Sequence, residues 1–246
     1  MKRKTYFQIA LLFVLFSNLI VINALAVEYN LELASDAKVI WKVDEFDEDK
    51  YDKIFAGYST ESRPNADFKK GDQKQVKVTN IDTRENKWVI TYDQWDYTDD
   101  TNDFSGEPDQ EKYKTVYKEP KDQADDILEL EDIASMWIIP SPPINYIEDF
   151  RDEFDIPNID VSVEDNKLIA KNSIEPLPAS YEIELTYGND GLAEKIEYID
   201  EDGDTFIKIS LIRETIPGYN IFLIILLICG LVGILLWKKK IFFQNK

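Results

Sequence analysis

Carboxylates are the residues of this 246-residue chain with the most chemical potential: 48 Asp and Glu stand against 28 Lys and Arg, with no histidine and one cysteine. One group runs from Asp93 to Asp109 and holds Asp93, Asp96, Asp99, Asp100, Asp103, Glu107 and Asp109 among Trp95, Tyr97 and Phe104. Oxygen ligands are what a hard cation such as Ca²⁺ takes. No standard calcium loop fits, because counting from Asp99 puts Phe104 at the glycine position and Gln110 at the place of the bidentate glutamate. The expectation is a solvated acidic loop in which Asp93, Asp96, Asp99, Asp100 and Asp103 gather Ca²⁺ weakly, with Trp95 and Tyr97 as an exposed aromatic pair for contacts. A second acidic run, Asp200-Glu201-Asp202-Gly203-Asp204, places Leu211 where a calcium loop needs its last ligand. It reads as a hairpin turn.

Missing residue types exclude several chemistries. Without histidine there is no histidine-dependent triad, no Cys–His dyad and no HExxH zinc site. Cys229 lies in the apolar tail, so the rest of the chain has no disulfide and must be held by its core. There is no GxSxG, P-loop or GxGxxG motif. Paired carboxylates of the glycosidase kind are available, but no spacing singles out one pair. The resulting expectation is a non-enzymatic binding or structural protein needing no cofactor beyond Ca²⁺, with a glycan-active enzyme as an alternative.

The two ends give the address. Lys2-Arg3-Lys4 precede a mostly apolar stretch from Ile9 to Ile22, and Ala24-Leu25-Ala26 supplies the small-x-small pattern that signal peptidase accepts. Residues 1–26 read as a signal peptide cleaved after Ala26. Ile221 to Trp237 is an uncharged run of 17 residues followed by Lys238-Lys239-Lys240. It reads as one transmembrane helix over 221–237, with 238–246 as a basic cytoplasmic tail and the preceding domain outside. Between the ends, residues 27–215 form an acidic extracytoplasmic domain. The acids all fall outside the signal and tail, and seven of the bases fall within them, which leaves 48 acids against 21 bases, a net charge of −27. A domain of that sign repels nucleic acid. It favours basic partners and divalent cations.

Residues 216–220 link the domain to the helix and contain Pro217-Gly218-Tyr219. A Pro-Gly-aromatic motif, a short apolar helix and a terminal basic cluster resemble the PGF-CTERM sorting signals of archaeal surface proteins, with Tyr219 in place of the usual Phe. That resemblance implies an archaeosortase-like enzyme as a partner, cutting near the motif while a lipid is attached. It covers about 30 residues and leaves the outer domain unassigned.

Period-two alternation supplies the elements that must position the acidic groups. Val39, Trp41 and Val43 share one face, as do Val76 and Val78, Trp88, Ile90 and Tyr92, and a return near Tyr113 to Tyr117. Val161 to Val163 and Leu168 to Ala170 flank a short turn. Tyr181 to Tyr187, Leu192 to Ile199 and Thr205 to Ile212 form a meander on Asx-Gly turns. Between the halves, helical spacing predicts one helix over Asp122 to Ile138 and a second carrying Ile144, Ile147, Phe150 and Phe154. The fold class is α+β: a curved antiparallel sheet with two helices packed on one face. This element order is similar to the half-barrel of periplasmic lipoprotein carriers, which implies, as another alternative, a carrier of lipid or another hydrophobic ligand.

Overall fold

The computed structural model describes residues 27–56, 63, 69–98, 104–172 and 180–213. Ala24, Ala26, Pro217, Gly218, Tyr219 and the expected span at 221–237 lie outside them. The chain divides into two compact units, Met1–Leu211 and Ile212–Lys246, and the architecture below is that of the first. Among the described residues no helix is long and apolar enough to cross a membrane.

Among the described residues nine strands form one sheet: β1 (Lys38–Phe46), β2 (Gln73–Thr83), β3 (Lys87–Thr98), β4 (Gln110–Tyr117), β5 (Ile159–Glu164), β6 (Lys167–Asn172), β7 (Tyr181–Tyr187), β8 (Ala193–Asp200) and β9 (Thr205–Ile212). Their order is β4-β3-β2-β1-β9-β8-β7-β6-β5. Two meanders, β1 to β4 and β5 to β9, are thus joined where the first strand meets the last. Within each meander neighbours pair antiparallel. The register carries the apolar alternation across the sheet, because residues directly opposite one another point to the same side. Ala170 faces Ile183, Ile183 faces Tyr198, and Tyr198 faces Ile207. In the first meander Val39 faces Val76, while Trp88 faces Val116.

The described residues include four short helices where two were expected: α1 (Glu48–Ile54), α2 (Pro120–Asp125), α3 (Leu130–Ala134) and α4 (Pro143–Glu153). Helix α1 was missed, although Asp47 caps it by accepting from the Lys50 amide at 3.1 Å and Tyr51 and Ile54 are its buried residues. The long helix predicted over Asp122 to Ile138 is instead two, α2 and α3. The Asp132 carboxylate accepts the amides of Leu128 and Glu129 and starts α3 afresh. Beyond Ala134 the chain turns extended: Ile138 bridges Leu192, and the Ile139 amide donates to the Gly191 carbonyl at 2.9 Å. Pairing with the sheet edge of a turn outcompetes one further helical turn there. Helix α4 buries Tyr146, Ile147 and Phe150 and leaves Ile144 exposed, so its apolar stripe is rotated from the one read off the spacing.

The helices cover the apolar face of the sheet. Tyr187 donates its hydroxyl to the Met136 carbonyl at 2.8 Å, Tyr146 to the Tyr117 carbonyl at 3.0 Å, and Tyr181 to Glu131. Phe55, at the end of α1, packs on Tyr181 at 5.2 Å between ring centroids, and Tyr181 stacks on Tyr198 at 6.2 Å. Trp137 sits edge-on to both Trp41 (5.3 Å) and Tyr92 (5.8 Å), tying the segment after α3 to the first meander.

Candidate functional site

The acidic turn after β8 is committed to holding the fold. One carboxylate oxygen of Asp200 accepts the amides of Asp202 and Asp204, at 3.0 and 2.8 Å. Its other oxygen takes the Lys50 ammonium at 2.7 Å, and the Asp204 carboxylate takes the same ammonium at 2.8 Å. A lysine head from α1 thus occupies the position between two carboxylates that a cation would need. The Lys50 ammonium holds the Asp200 carboxyl below its ordinary value, burial opposes this, and the two backbone amides reinforce it. Beside the staple, Lys50, Lys53, Ile54, Asp200, Glu201 and Asp202 line an open depression of about 70 Å³. It has room for water and small ions only.

The acidic segment after Tyr92 is split by the pleat. Asp93 stands opposite Lys77 on one side and Glu111 on the other, on the solvent face of the sheet. Asp96 falls on the opposite face, where Gln94 and Gln110 donate their side-chain amides to it, the latter at 3.0 Å. The Asp96 amide donates to Asp109 at 2.7 Å, and the Trp95 indole donates to the Gly106 carbonyl at 3.0 Å. Trp95 is half-buried and clamps the return of its own loop. Tyr97 lies in β3, and Asp99, Asp100 and Asp103 lie outside the described residues. Among the described residues no three Asp, Glu or Cys side chains are grouped to hold a metal. Trp41 and Trp88 belong to the buried core, Trp137 packs half-buried against it, and Trp41 donates its indole N–H to the Ala193 carbonyl at 3.0 Å.

On the solvent face of the second meander the register sets Glu184 directly against Glu197. Opposed like charges destabilise a sheet, and lysines offset them here. Lys167 reaches Glu184 at 2.5 Å, and Lys195 and Lys208 reach Glu197 at 2.6 and 3.6 Å. Burial, with Glu184 nearby, pushes the neighbouring Glu182 carboxyl up.

Sequence reasoning missed a group on the helix-covered face of the first meander. Lys74 pairs with Trp41, Lys112 with Tyr92, and Lys114 with Ile90. Each lysine therefore points to the same side as a core residue. Lys114 donates to the Ser135 hydroxyl, just past α3, at 3.0 Å. Burial pushes both Lys74 and Lys114 below the ordinary lysine value, and the Lys112 ammonium adds to the shift at Lys74. In sequence these lysines look like solvated positions; only strand register reveals which face they share.

No family model matches the sequence, and neither curated proteins nor solved structures provide a match to it or to the fold.

Proposed function

We propose that this chain is a membrane-tethered protein of the cell surface whose outer domain works by contact, as a binding or structural module of the envelope, and not by catalysis. The observation that carries this reading is how the helix-covered face of the sheet is used. Phe55, Ile133, Met136, Ile138, Tyr146, Ile147, Phe150, Leu168, Tyr187 and Phe206 are fully buried against one another there. A hydrophobic-ligand carrier needs an apolar cavity of several hundred Å³; here that surface packs on the protein's own helices. The carboxylates of Glu184 and Glu197, paired across β7 and β8, are each engaged by lysines, which favours a structural use over an acid–base pair.

The placement outside the membrane rests on residues 1–26 as a signal, on 221–237 as an anchor, and on the segregation of all 48 acids between Val27 and Tyr219. The Pro217-Gly218-Tyr219 motif adds a sorting step by an archaeosortase-like enzyme. Mass spectrometry of the protein extracted from its own cell's membrane, native and then denaturing, tests the whole reading. A chain beginning at Val27 and ending near Pro217 with a lipid adduct supports sorting, whereas one running to Lys246 replaces it with a plain anchor. A chain retaining Met1 in a soluble fraction overturns the tethered reading. A lipid retained by the native outer domain overturns the contact reading in favour of a carrier.

A further inference from the structure

The sheet ends in two edge strands that are finished differently. Among the described residues β4 pairs with β3 alone and β5 with β6 alone. Strand β4 carries Glu111, Lys112 and Lys114, and charged side chains, lysine above all, keep a sheet edge from pairing onward. Strand β5 has no lysine or proline. Its Ile159, Val161 and Val163 pack half-buried against the core, and its Asp160 and Glu164 stand opposite Lys171 and Lys167 of β6. The hairpin from Ile159 to Asn172 thus holds three acids against two bases. In a domain of net charge −27 this edge is close to neutral, so like charge does not bar a second copy from it.

The backbone of β5 is open on the side away from β6. The Tyr187 amide donates to the Asn166 carbonyl at 2.9 Å. Backbone groups alternate in direction along a strand, so Leu168 and Ala170 bond to β7, while Lys167, Ile169 and Lys171 bond to Glu164, Ser162 and Asp160. The amides and carbonyls of Val161 and Val163 therefore point outward, where no other described strand lies. The Ile159 carbonyl points the same way, while its amide is taken by the Ile156 carbonyl at 3.3 Å.

We propose that β5 pairs antiparallel with β5 of a second copy about a two-fold axis at Val161, joining two sheets into one. The strand is self-complementary in that register. Val161 meets Val161, Ile159 meets Val163, and on the other face Asp160 meets Ser162. Val161 exchanges both backbone bonds with its counterpart, and each Val163 amide reaches an Ile159 carbonyl. Moving the axis to Ser162 sets Asp160 against Glu164, a pairing that like charge disfavours. This inference rests on the reading of the outer domain as a contact module and names its partner. A monomeric chain removes the second copy and leaves the membrane tether standing, whereas a soluble chain that dimerises does the reverse.

The experiment is sedimentation equilibrium of the full chain in a density-matched neutral detergent at about 0.15 M salt. The expected result is a monomer–dimer equilibrium. Ser162→Glu brings a carboxylate against Asp160 twice per dimer and raises the dimer Kd about tenfold or more. Ser162→Lys, which meets Asp160 with the opposite charge, lowers it. Tyr113→Glu, the same charge change at an exposed position of β4, leaves it unchanged. Thermal melts of each variant report folding. In a Cys229→Ser background, Asp160→Cys with Ser162→Cys places two thiols opposite each other in a pair without backbone bonds, and oxidation gives a covalent dimer. The proposal is overturned if the chain is monomeric at every concentration reached, if Ser162→Glu dimerises as tightly as the parent, if Tyr113→Glu weakens the dimer equally, or if the cysteine pair stays monomeric on oxidation.

Discussion

At the scale of single residues, two carboxyls on the second meander have opposite effects on stability. Asp200 has a depressed folded-state value, through the Lys50 ammonium first. Its contribution is therefore present above the ordinary carboxyl value of 3.8 and fades as pH falls through the lower folded value. Glu182 is raised, through burial first, so its ionisation costs stability at neutral pH and that cost disappears in acid. Melts across pH 3 to 8 check both signs: Asp200→Asn should lower Tm at neutral pH and flatten the acid limb, while Glu182→Gln should raise Tm at neutral pH only. Two glycines differ in the same instructive way. Gly191 (φ +77°) would bring a Cβ to 2.0 Å from the Ile139 carbonyl oxygen, whereas Gly203 (φ +85°) faces open space. Denaturant titration should show Gly203→Ala costing about 1 kcal/mol from the left-handed backbone alone. Gly191→Ala should cost about 3 kcal/mol or more, because a backbone carbonyl must also move.

At the scale of elements, short helices hold their place through tertiary contacts, since five to eleven residues cannot sustain a helix alone. Phe150 is the fully buried anchor of α4, and Phe150→Ala should destabilise by about 3 to 5 kcal/mol. The Tyr187 hydroxyl fixes the chain after α3 by bonding the Met136 carbonyl in a buried setting. Tyr187→Phe keeps the ring and leaves that carbonyl unpaired, at a cost of about 1 to 3 kcal/mol. Chemical denaturation gives both magnitudes. Hydrogen exchange adds location, with faster exchange in 130–139 expected for Tyr187→Phe. The elements also show what spacing can and cannot reveal. Strands β5 to β9 were legible because Tyr181 to Tyr187 alternates strictly and Asx-Gly turns mark the ends. The break between α2 and α3 was not, because Ile127, Leu130 and Ile133 keep helical spacing across it while the Asp132 carboxylate caps a new start.

At the scale of the whole molecule, charge is the dominant long-range term. A net −27 over residues 27–219 strains the compact state by self-repulsion, while the ion pairs along the second meander are local. Screening weakens the long-range repulsion more than contacts between groups already touching. Raising NaCl from about 0.01 M to about 0.15 M shortens the Debye length from about 30 to about 8 Å. Tm should therefore rise with salt by a few degrees; a fall would mean that the Lys50 and Glu197 networks outweigh the net charge.

The sequence by itself determined the strand pattern, the core assignment of Trp41 and Trp88, the hairpin nature of the Asp200 turn and the absence of histidine chemistry. These follow from side-chain type and a period of two, both of which are local. Tertiary structure decided the rest: that β1 lies beside β9, that Lys50 fills the space between Asp200 and Asp204, and that Lys74, Lys112 and Lys114 share the face that buries the core. Each of these is a relation between residues far apart in the chain, fixed by strand register and by which segment packs over which strand. A one-residue change of register would turn those lysines outward to solvent, and no local feature of the sequence records which register the folded chain adopts.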